Sequence, residues 1–335
     1  MFSVPGLPFK ILEQTGQTKM QLLVHSITEA VGNGELKEGD ALPSVNQLSA
    51  ESGFSRDTVF KAYSALKKNG LVESTLAKGY YVAGESYKVF MLLDDFSAFK
   101  EQLYNSFRQN LPQTYSVDLL FHHYNREVFQ QLIRNSLGRY NSYVVMNIDH
   151  DGIDPALEEI DPKKLLILDM GAPLSETVSY IIQNFGESVE SCLEKGWHRL
   201  KKYDELVLVY DEKETPHPSE TVWATQRFCR KHNIRFKTVK RPQSPEIRKG
   251  QVWFTIRDAD LVEVIKTCRK NDFKPGKDVG VLSYNDTPMK QIVGGGISVI
   301  STNFEQMGIL AAGFIKNKQK IARVLPTSLI LRESL

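Results

Sequence analysis

Ser55-Arg56-Asp57-Thr58-Val59 joins a helix-starting hydroxyl to an arginine in the first helical turn. An arginine there can meet the edge of a guanine through two parallel N–H donors. The free amides of the helix start can hold a phosphate. The same helix carries Phe60, Lys61, Ser64, Lys67 and Lys68 on its outer face, and basic side chains so placed neutralise phosphates. Lys78 and Gly79 stand at the tip of a short hairpin, and Ser44 and Asn46 open the preceding helix. The expected contact surface for double-stranded DNA is therefore Ser44, Asn46, Ser55, Arg56, Asp57, Thr58, Phe60, Lys61, Lys78 and Gly79. Any one of these charges is equally compatible with a solvated helix face. Their distribution is more telling. From Met1 to Phe54 acids outnumber bases, whereas Arg56, Lys61, Lys67, Lys68 and Lys78 reverse the balance between Ser55 and Gly84.

Three helices and a hairpin are needed to position these residues. Met20, Leu23, Val24, Ile27 and Val31 follow helical spacing and stop at Gly32-Asn33-Gly34, residues that accept left-handed backbone angles. Pro43-Ser44 begins a second helix, with Ser44 and Gln47 spaced as a capping box. It carries Val45 and Leu48 inward and ends at Gly53. A tight turn leads to the third helix, whose inner stripe is Val59, Ala62, Tyr63 and Leu66. Leu71–Ser74, the turn Ala77-Lys78-Gly79 and Tyr80–Val82 then read as a hairpin. Helix, tight turn, helix presents its second member to a major groove.

Gly34-Glu35-Leu36-Lys37-Glu38-Gly39-Asp40-Ala41-Leu42-Pro43-Ser44 resembles the GxLxxGxxLPS segment of the GntR family. Phe54–Val59, Ala62-Tyr63, Leu66 and Asn69-Gly70-Leu71-Val72 continue that family's winged-helix pattern in order and spacing. Asn46 stands where the family usually has a DNA-contacting arginine, and Ala77 where its wing usually has a glycine.

The chain of 335 residues has a formal charge of +2. That length fits two or three domains, and the charge by itself selects no partner. No apolar run is long enough to span a membrane, and Met1–Pro5 lacks the features of a signal peptide. Cys192, Cys229 and Cys268 are odd in number and have no metal spacing, so reduced, buried thiols in a cytoplasmic protein are expected.

The pattern changes around Gly84-Glu85-Ser86, which sets a domain at 1–84 and a linker at 85–87. Beyond it, apolar strands (Val89–Leu93, Val117–Phe121, Tyr143–Met146, Leu165–Leu168, Leu206–Tyr210, Phe236–Val239, Val252–Thr255, Val279–Leu282) alternate with helical stretches. Those stretches are Phe99–Asn110, Val128–Leu137, Glu187–Tyr203, Glu220–His232 and Asp260–Asn271. Apolar strands alternating with helices mean parallel sheets covered on both faces. The number of strands implies two α/β lobes enclosing a cleft at their carboxyl ends.

Residues 253–261, Lys274–Pro288 and the tail Leu325–Ser334 resemble the effector domain of the lactose-repressor family. A GntR-type reader joined to that domain resembles the arabinose-repressor group. The resemblance implies a fold of class α/β: an N-terminal winged helix-turn-helix, then a two-lobed periplasmic-binding-protein-like domain over 88–335. The first lobe is expected at about 88–181 and 304–322, the second at about 182–303 and 323–335. Arg257 stands where the family often has a ligand-binding asparagine, and Asn285 where it often has an aspartate. Asp94, Phe96, Asp149, Trp223, Trp253, Arg257 and Asn285 are the expected effector-binding residues. Each aromatic could equally be core, and Asp94 or Asp149 a helix cap. The effector implied is a carbohydrate, with a phosphorylated or acidic sugar as the alternative because arginine suits those anions.

No catalytic constellation stands out. Gly294-Gly295-Gly296 is not followed by lysine, and His122-His123 have no partners at ligand spacing. No enzyme, cofactor or metal is expected. The expectation is a homodimeric, ligand-controlled transcription regulator that acts by repression. The alternative is a ligand-binding protein whose winged helix makes protein contacts.

Overall fold

The computed structural model describes residues 7–11, 18–68, 70–83, 87–112, 115–148, 152–170, 177–212 and 217–335. The expected cleft residue Asp149, the linker residues Gly84–Ser86, Asn69 and the Met1–Pro5 segment lie outside the described residues. The chain divides into two compact units, Met1–Tyr87 with Gln113–Ser116 and Lys88–Pro112 with Val117–Leu335.

The smaller unit contains α1 (Lys19–Gly32), α2 (Val45–Ser52), α3 (Arg56–Lys68), β1 (Val72–Thr75) and β2 (Gly79–Val82). The apolar spacing has its physical consequence in one core, where Leu23, Ile27, Leu48, Val59, Ala62, Tyr63, Leu66, Val72 and Val82 are all buried. Tyr63 donates to Pro43 O at 2.7 Å and stacks on Tyr80 at 4.3 Å, which ties α3 to both the α2 start and the hairpin. β1 and β2 are antiparallel, with Val72 opposite Val82 and Thr75 opposite Gly79. The capping box expected at Ser44 is only half made. Ser44 Oγ accepts from the Gln47 amide at 3.2 Å, but the Gln47 side chain donates to Glu51 at 3.1 Å. The reciprocal box sits instead at Thr18 and Gln21, the start of α1.

The larger unit continues with β3 (Lys88–Leu93), α4 (Ala98–Gln109), β4 (Ser116–Phe121), α5 (Arg126–Ser136), β5 (Ser142–Met146), β6 (Leu165–Asp169) and β7 (Ser179–Gln183). Next come α6 (Glu187–Lys195), α7 (Trp197–Leu200), β8 (Glu205–Val209), α8 (Glu220–Lys231), β9 (Arg235–Val239) and β10 (Gln251–Thr255). The remainder is α9 (Asp258–Lys270), β11 (Gly280–Tyr284), α10 (Pro288–Ile292), β12 (Ser298–Thr302), α11 (Phe304–Asn317), β13 (Ala322–Leu325) and β14 (Thr327–Ile330).

These strands form two six-stranded sheets, ordered β13-β7-β6-β5-β3-β4 and β14-β12-β11-β10-β8-β9. In the first, β3, β5, β6, β7 and β13 run parallel. In the second, β9, β8, β10, β11 and β12 are parallel, and β14 closes the edge antiparallel to β12. Central strands such as β5, β6, β8, β10 and β11 are buried along their whole length, which is why they read as unbroken apolar runs.

The chain leaves the first sheet after β7, returns through α11, and crosses again between β13 and β14. The lobe limits expected at 181/182 and 322/323 therefore fall inside strands. β13 is held whole in the first sheet by its parallel register with β7, from Ala322–Tyr180 to Leu325–Gln183. The single helix expected over Glu187–Tyr203 breaks at Gly196, where an added Cβ would lie 2.8 Å from Leu329 Cδ2. Cys192, Cys229 and Cys268 are free and buried, and burial pushes their thiols up to about 11, 12 and 11 respectively. Among the described residues no helix is long and apolar enough to cross a membrane, and no group of His, Cys, Asp or Glu is arranged to hold a metal.

Candidate functional site

In the smaller unit, Gly53 ends α2 in a left-handed conformation (φ 70°) and allows the sharp entry into α3. The Thr58 amide donates to Ser55 Oγ at 3.1 Å, so Ser55 caps α3. Past that cap, Arg56, Asp57, Phe60, Lys61 and Ser64 are exposed, while Val59, Ala62 and Tyr63 are buried. Asp57 and Lys61 form an i,i+4 ion pair at 2.8 Å. Arg56 has no ion pair among the described residues, so its guanidinium remains available to an outside anion or base.

Asn46 is exposed in the first turn of α2, and Ser44 beside it uses its hydroxyl as the helix cap. Lys67 Nζ donates to Ser74 Oγ at 2.8 Å and braces the hairpin against α3. At the hairpin tip, Gly79 is left-handed (φ 69°) and the Lys78 amide donates to Thr75 Oγ1 at 3.1 Å. Lys78 Nζ lies 5.7 Å from the centre of the Tyr81 ring, whose hydroxyl donates to Glu73 at 2.8 Å. The exposed positions expected to meet DNA thus lie on the start of α2, the outer face of α3 and the hairpin tip.

In the larger unit the carboxyl ends of both sheets line a cavity of about 420 Å³, a volume suited to a small ligand. From the first sheet come Asp94, Asp95 and Phe96 after β3, Tyr124 after β4, and Asp169 at the end of β6. From the second come Ile256, Arg257 and Asp258 after β10, Tyr284 and Asn285 at the end of β11, and Lys290 on α10. Gln183, at the end of β7, joins the two: its Oε1 accepts from Tyr284 at 3.2 Å and Thr302 at 2.9 Å, and its amide donates to Asp169.

Two successive left-handed residues, His123 (φ 48°) and Tyr124 (φ 56°), turn the chain after β4. They bring the Tyr124 hydroxyl to Asp94 Oδ2 at 2.8 Å. Lys100, buried on α4, pairs with Asp94 and lies 2.5 Å from Asp95. Burial opposes its charge, but the two carboxylates prevail and its pKa is raised. Asp169 adopts φ 68°, and burial, aided by the Asp94 charge, raises its carboxyl to about 6.

The cleft's other cations are also engaged. Arg257 holds Asp260 through Nε at 2.8 Å and Nη2 at 3.1 Å. Lys290 meets Asp258 at 2.9 Å and donates to the Tyr284 and Asn285 carbonyls at 2.8 and 2.9 Å, using all three of its N–H donors. Asn285 is left-handed (φ 58°), and its buried Oδ1 has no hydrogen-bond partner among the described residues. The site therefore offers an open acceptor, buried carboxylates and aromatic faces, with each lysine and arginine already matched by an acid.

Of the expected cleft residues, Asp94, Phe96, Arg257 and Asn285 come together in this lining. Trp253 does not. It is fully buried in the second lobe's core with Val207, Val264 and Val281, and its Nε1 donates to Gln251 at 3.0 Å. Its position within β10, rather than at the strand end, puts it in the sheet interior. Trp223 is 55% exposed on α8, outside the cavity lining. Lys100, Tyr124, Asp169, Gln183, His217, Tyr284 and Lys290 escaped sequence reading. A signal was available only for Tyr124, Asp169, Gln183 and Tyr284, which lie at or just past strand ends. His217, ahead of α8, is buried, bonds Thr221 Oγ1 at 2.8 Å and packs edge-on to Tyr284 at 4.4 Å.

Residues 20–82 match the family described as "Bacterial regulatory proteins, gntR family". The chain is 40% identical over 79 residues to the Escherichia coli K12 repressor MngR of the mannosyl-D-glycerate transport/metabolism system, which covers 23% of this chain. It spans 31% of that relative's length. The Escherichia coli trehalose repressor structure superimposes with a TM-score of 0.62 at 11% identity, covering 73% of this chain and all of that one. A LacI family regulator from Lactobacillus casei with bound glucose gives a TM-score of 0.61 at 14% identity, covering 74% of this chain and 99% of its own. Residues 20–82 are thus a GntR-type winged helix-turn-helix, and the larger unit has the two-lobed fold of LacI-type, periplasmic-binding-like regulators.

Proposed function

We propose that this chain is a sequence-specific DNA-binding repressor controlled by a carbohydrate. In this reading residues 1–84 are the reader, 85–87 the linker and 88–335 the effector domain. The reader uses Ser44, Asn46, Ser55, Arg56, Asp57, Thr58, Phe60, Lys61, Lys78 and Gly79 on DNA. The effector sits in the cleft against Asp94, Phe96, Arg257 and Asn285. One observation carries the proposal: a single chain joins a GntR-type segment exposing an unpaired Arg56 to a polar cleft at the carboxyl ends of two facing sheets.

The working form is a cytoplasmic homodimer that sets two α3 helices into successive major grooves of a palindromic site. Effector binding closes the lobes and changes the spacing of the readers, provided the effector prefers one state. The protein does no chemistry on its ligand. A neutral sugar is favoured over a sugar phosphate, because Lys100, Arg257 and Lys290 are each held by carboxylates. The trehalose repressor and the glucose-bound regulator have the same fold, which supports a carbohydrate as the class.

The test is binding of the full chain to a duplex selected from a random pool, with Arg56→Ala beside it. Loss of the bidentate contact is expected to weaken binding by about 1–3 kcal/mol and to relax base preference. Wild-type affinity in the variant would remove Arg56 from the proposed role. Failure of the full chain to prefer any duplex would favour a protein-contact role for the winged helix.

A further inference from the structure

Phe60 is 55% exposed and is the one large apolar exposed side chain on α3 among the described residues. Its exposed surroundings on the helix are polar: Arg56 one turn before, Ser64 one turn after, and the Asp57–Lys61 pair alongside. A single apolar ring in such a face is far too small to seat a protein partner, which needs an extended patch. It does match an isolated apolar group inside a polar groove. The major groove of DNA presents one such group, the 5-methyl of thymine.

We infer that Phe60 is a specificity residue that packs on a thymine methyl beside the guanine met by Arg56. This rests on the proposal that the smaller unit binds DNA. Four residues advance a helix by about 6 Å, whereas successive bases are about 3.4 Å apart. The methyl read by Phe60 therefore belongs one to two base pairs from the guanine read by Arg56. An aromatic ring at this point gives the operator a thymine requirement that no hydrogen bond imposes.

The experiment uses the full chain and a duplex it selects from a random pool. Each thymine is replaced in turn by deoxyuridine, which removes the methyl and keeps base pairing. Wild type is expected to lose about fourfold in affinity at a thymine one or two base pairs from the guanine sensed by Arg56→Ala, the worth of one buried methyl. Phe60→Ala is expected to bind the thymine and deoxyuridine duplexes equally at that position, and Phe60→Leu to keep most of the difference. Phe60→Gln serves as a second loss variant, with melting curves to verify folding. Equal methyl sensitivity in wild type, Phe60→Ala and Phe60→Gln would overturn the inference, as would insensitivity of wild type at every thymine. If the full chain selects no duplex, DNA binding itself fails and the inference falls with it. If it selects one that ignores the methyls, only the inference falls.

Discussion

The Tyr124 hydroxyl donates a 2.8 Å hydrogen bond to Asp94 Oδ2, on a carboxylate that also pairs with the buried Lys100. Asp94 and Lys100 have only 2% and 3% of their side chains exposed. Removing one member of such a pair leaves a charge stranded in a poor solvent, which costs about 3 kcal/mol or more. Asp95 remains near Lys100 and keeps the loss toward the low end. Asp94→Leu should therefore lower the urea midpoint of the larger unit strongly. The double variant Asp94→Leu/Lys100→Met should recover most of it. Equal destabilisation by the single and double changes would contradict this account.

Asp169 gives stability a pH dependence. Its carboxyl titrates at about 6 because burial, and then Asp94, oppose its charge, against about 3.9 when unfolded. The folded protein holds that proton more tightly, so this contribution is complete below about pH 4 and is lost as pH rises through about 6. Asp169→Asn keeps the acceptor for Gln183 and tolerates the left-handed backbone. It should be more stable than wild type at pH 7, by at most about 3 kcal/mol, with the gain shrinking toward pH 4. Melting temperatures across this range check it, and a constant difference would refute the assignment.

The reader was legible because its residues act locally: Ser44 and Ser55 cap, Gly53 turns, and Val59, Ala62, Tyr63 and Leu66 repeat at helical spacing. The buried strands were legible as apolar runs. β7, β12, β13 and β14 were not, because each is a short stretch in which Ser, Thr, Gln or Arg interrupts or flanks the apolar residues. Cleft residues were recognisable where a motif pointed at them, as for Arg257 and Asn285. Lys100 and Tyr124 lie 24 residues apart and meet only through tertiary structure. Trp253 shows the opposite hazard, an aromatic beside a motif that serves the core.

The pairing of the cleft cations predicts ligand charge. A phosphate would have to displace Asp94, Asp258 or Asp260 from Lys100, Lys290 or Arg257. Calorimetry should find a neutral sugar binding at least about tenfold tighter than its phosphate, the cost of an imperfectly paired anion being 1.4 kcal/mol or more. Tighter binding of the phosphate would mean that these pairs open for the ligand.

Gly308 lies where α11 packs on α4, and an added Cβ would collide with the Leu103 carbonyl and Ser106 Oγ. Ser106 Oγ there donates to Glu305 O at 2.9 Å. Gly308→Ala must push the helices apart, which should destabilise the first lobe by about 1–3 kcal/mol. Chemical denaturation checks this. Unchanged stability would show that the helix pair yields without cost.

The most direct measurement is fluorescence anisotropy of a selected operator duplex with the full chain, titrated with a panel of neutral sugars and their phosphates. The account predicts tight, salt-sensitive binding released by one neutral sugar, with release abolished in Asn285→Gly, which keeps the left-handed backbone and removes the open acceptor, but DNA affinity retained. Binding no stronger than to scrambled DNA, or release that persists in that variant, would contradict it.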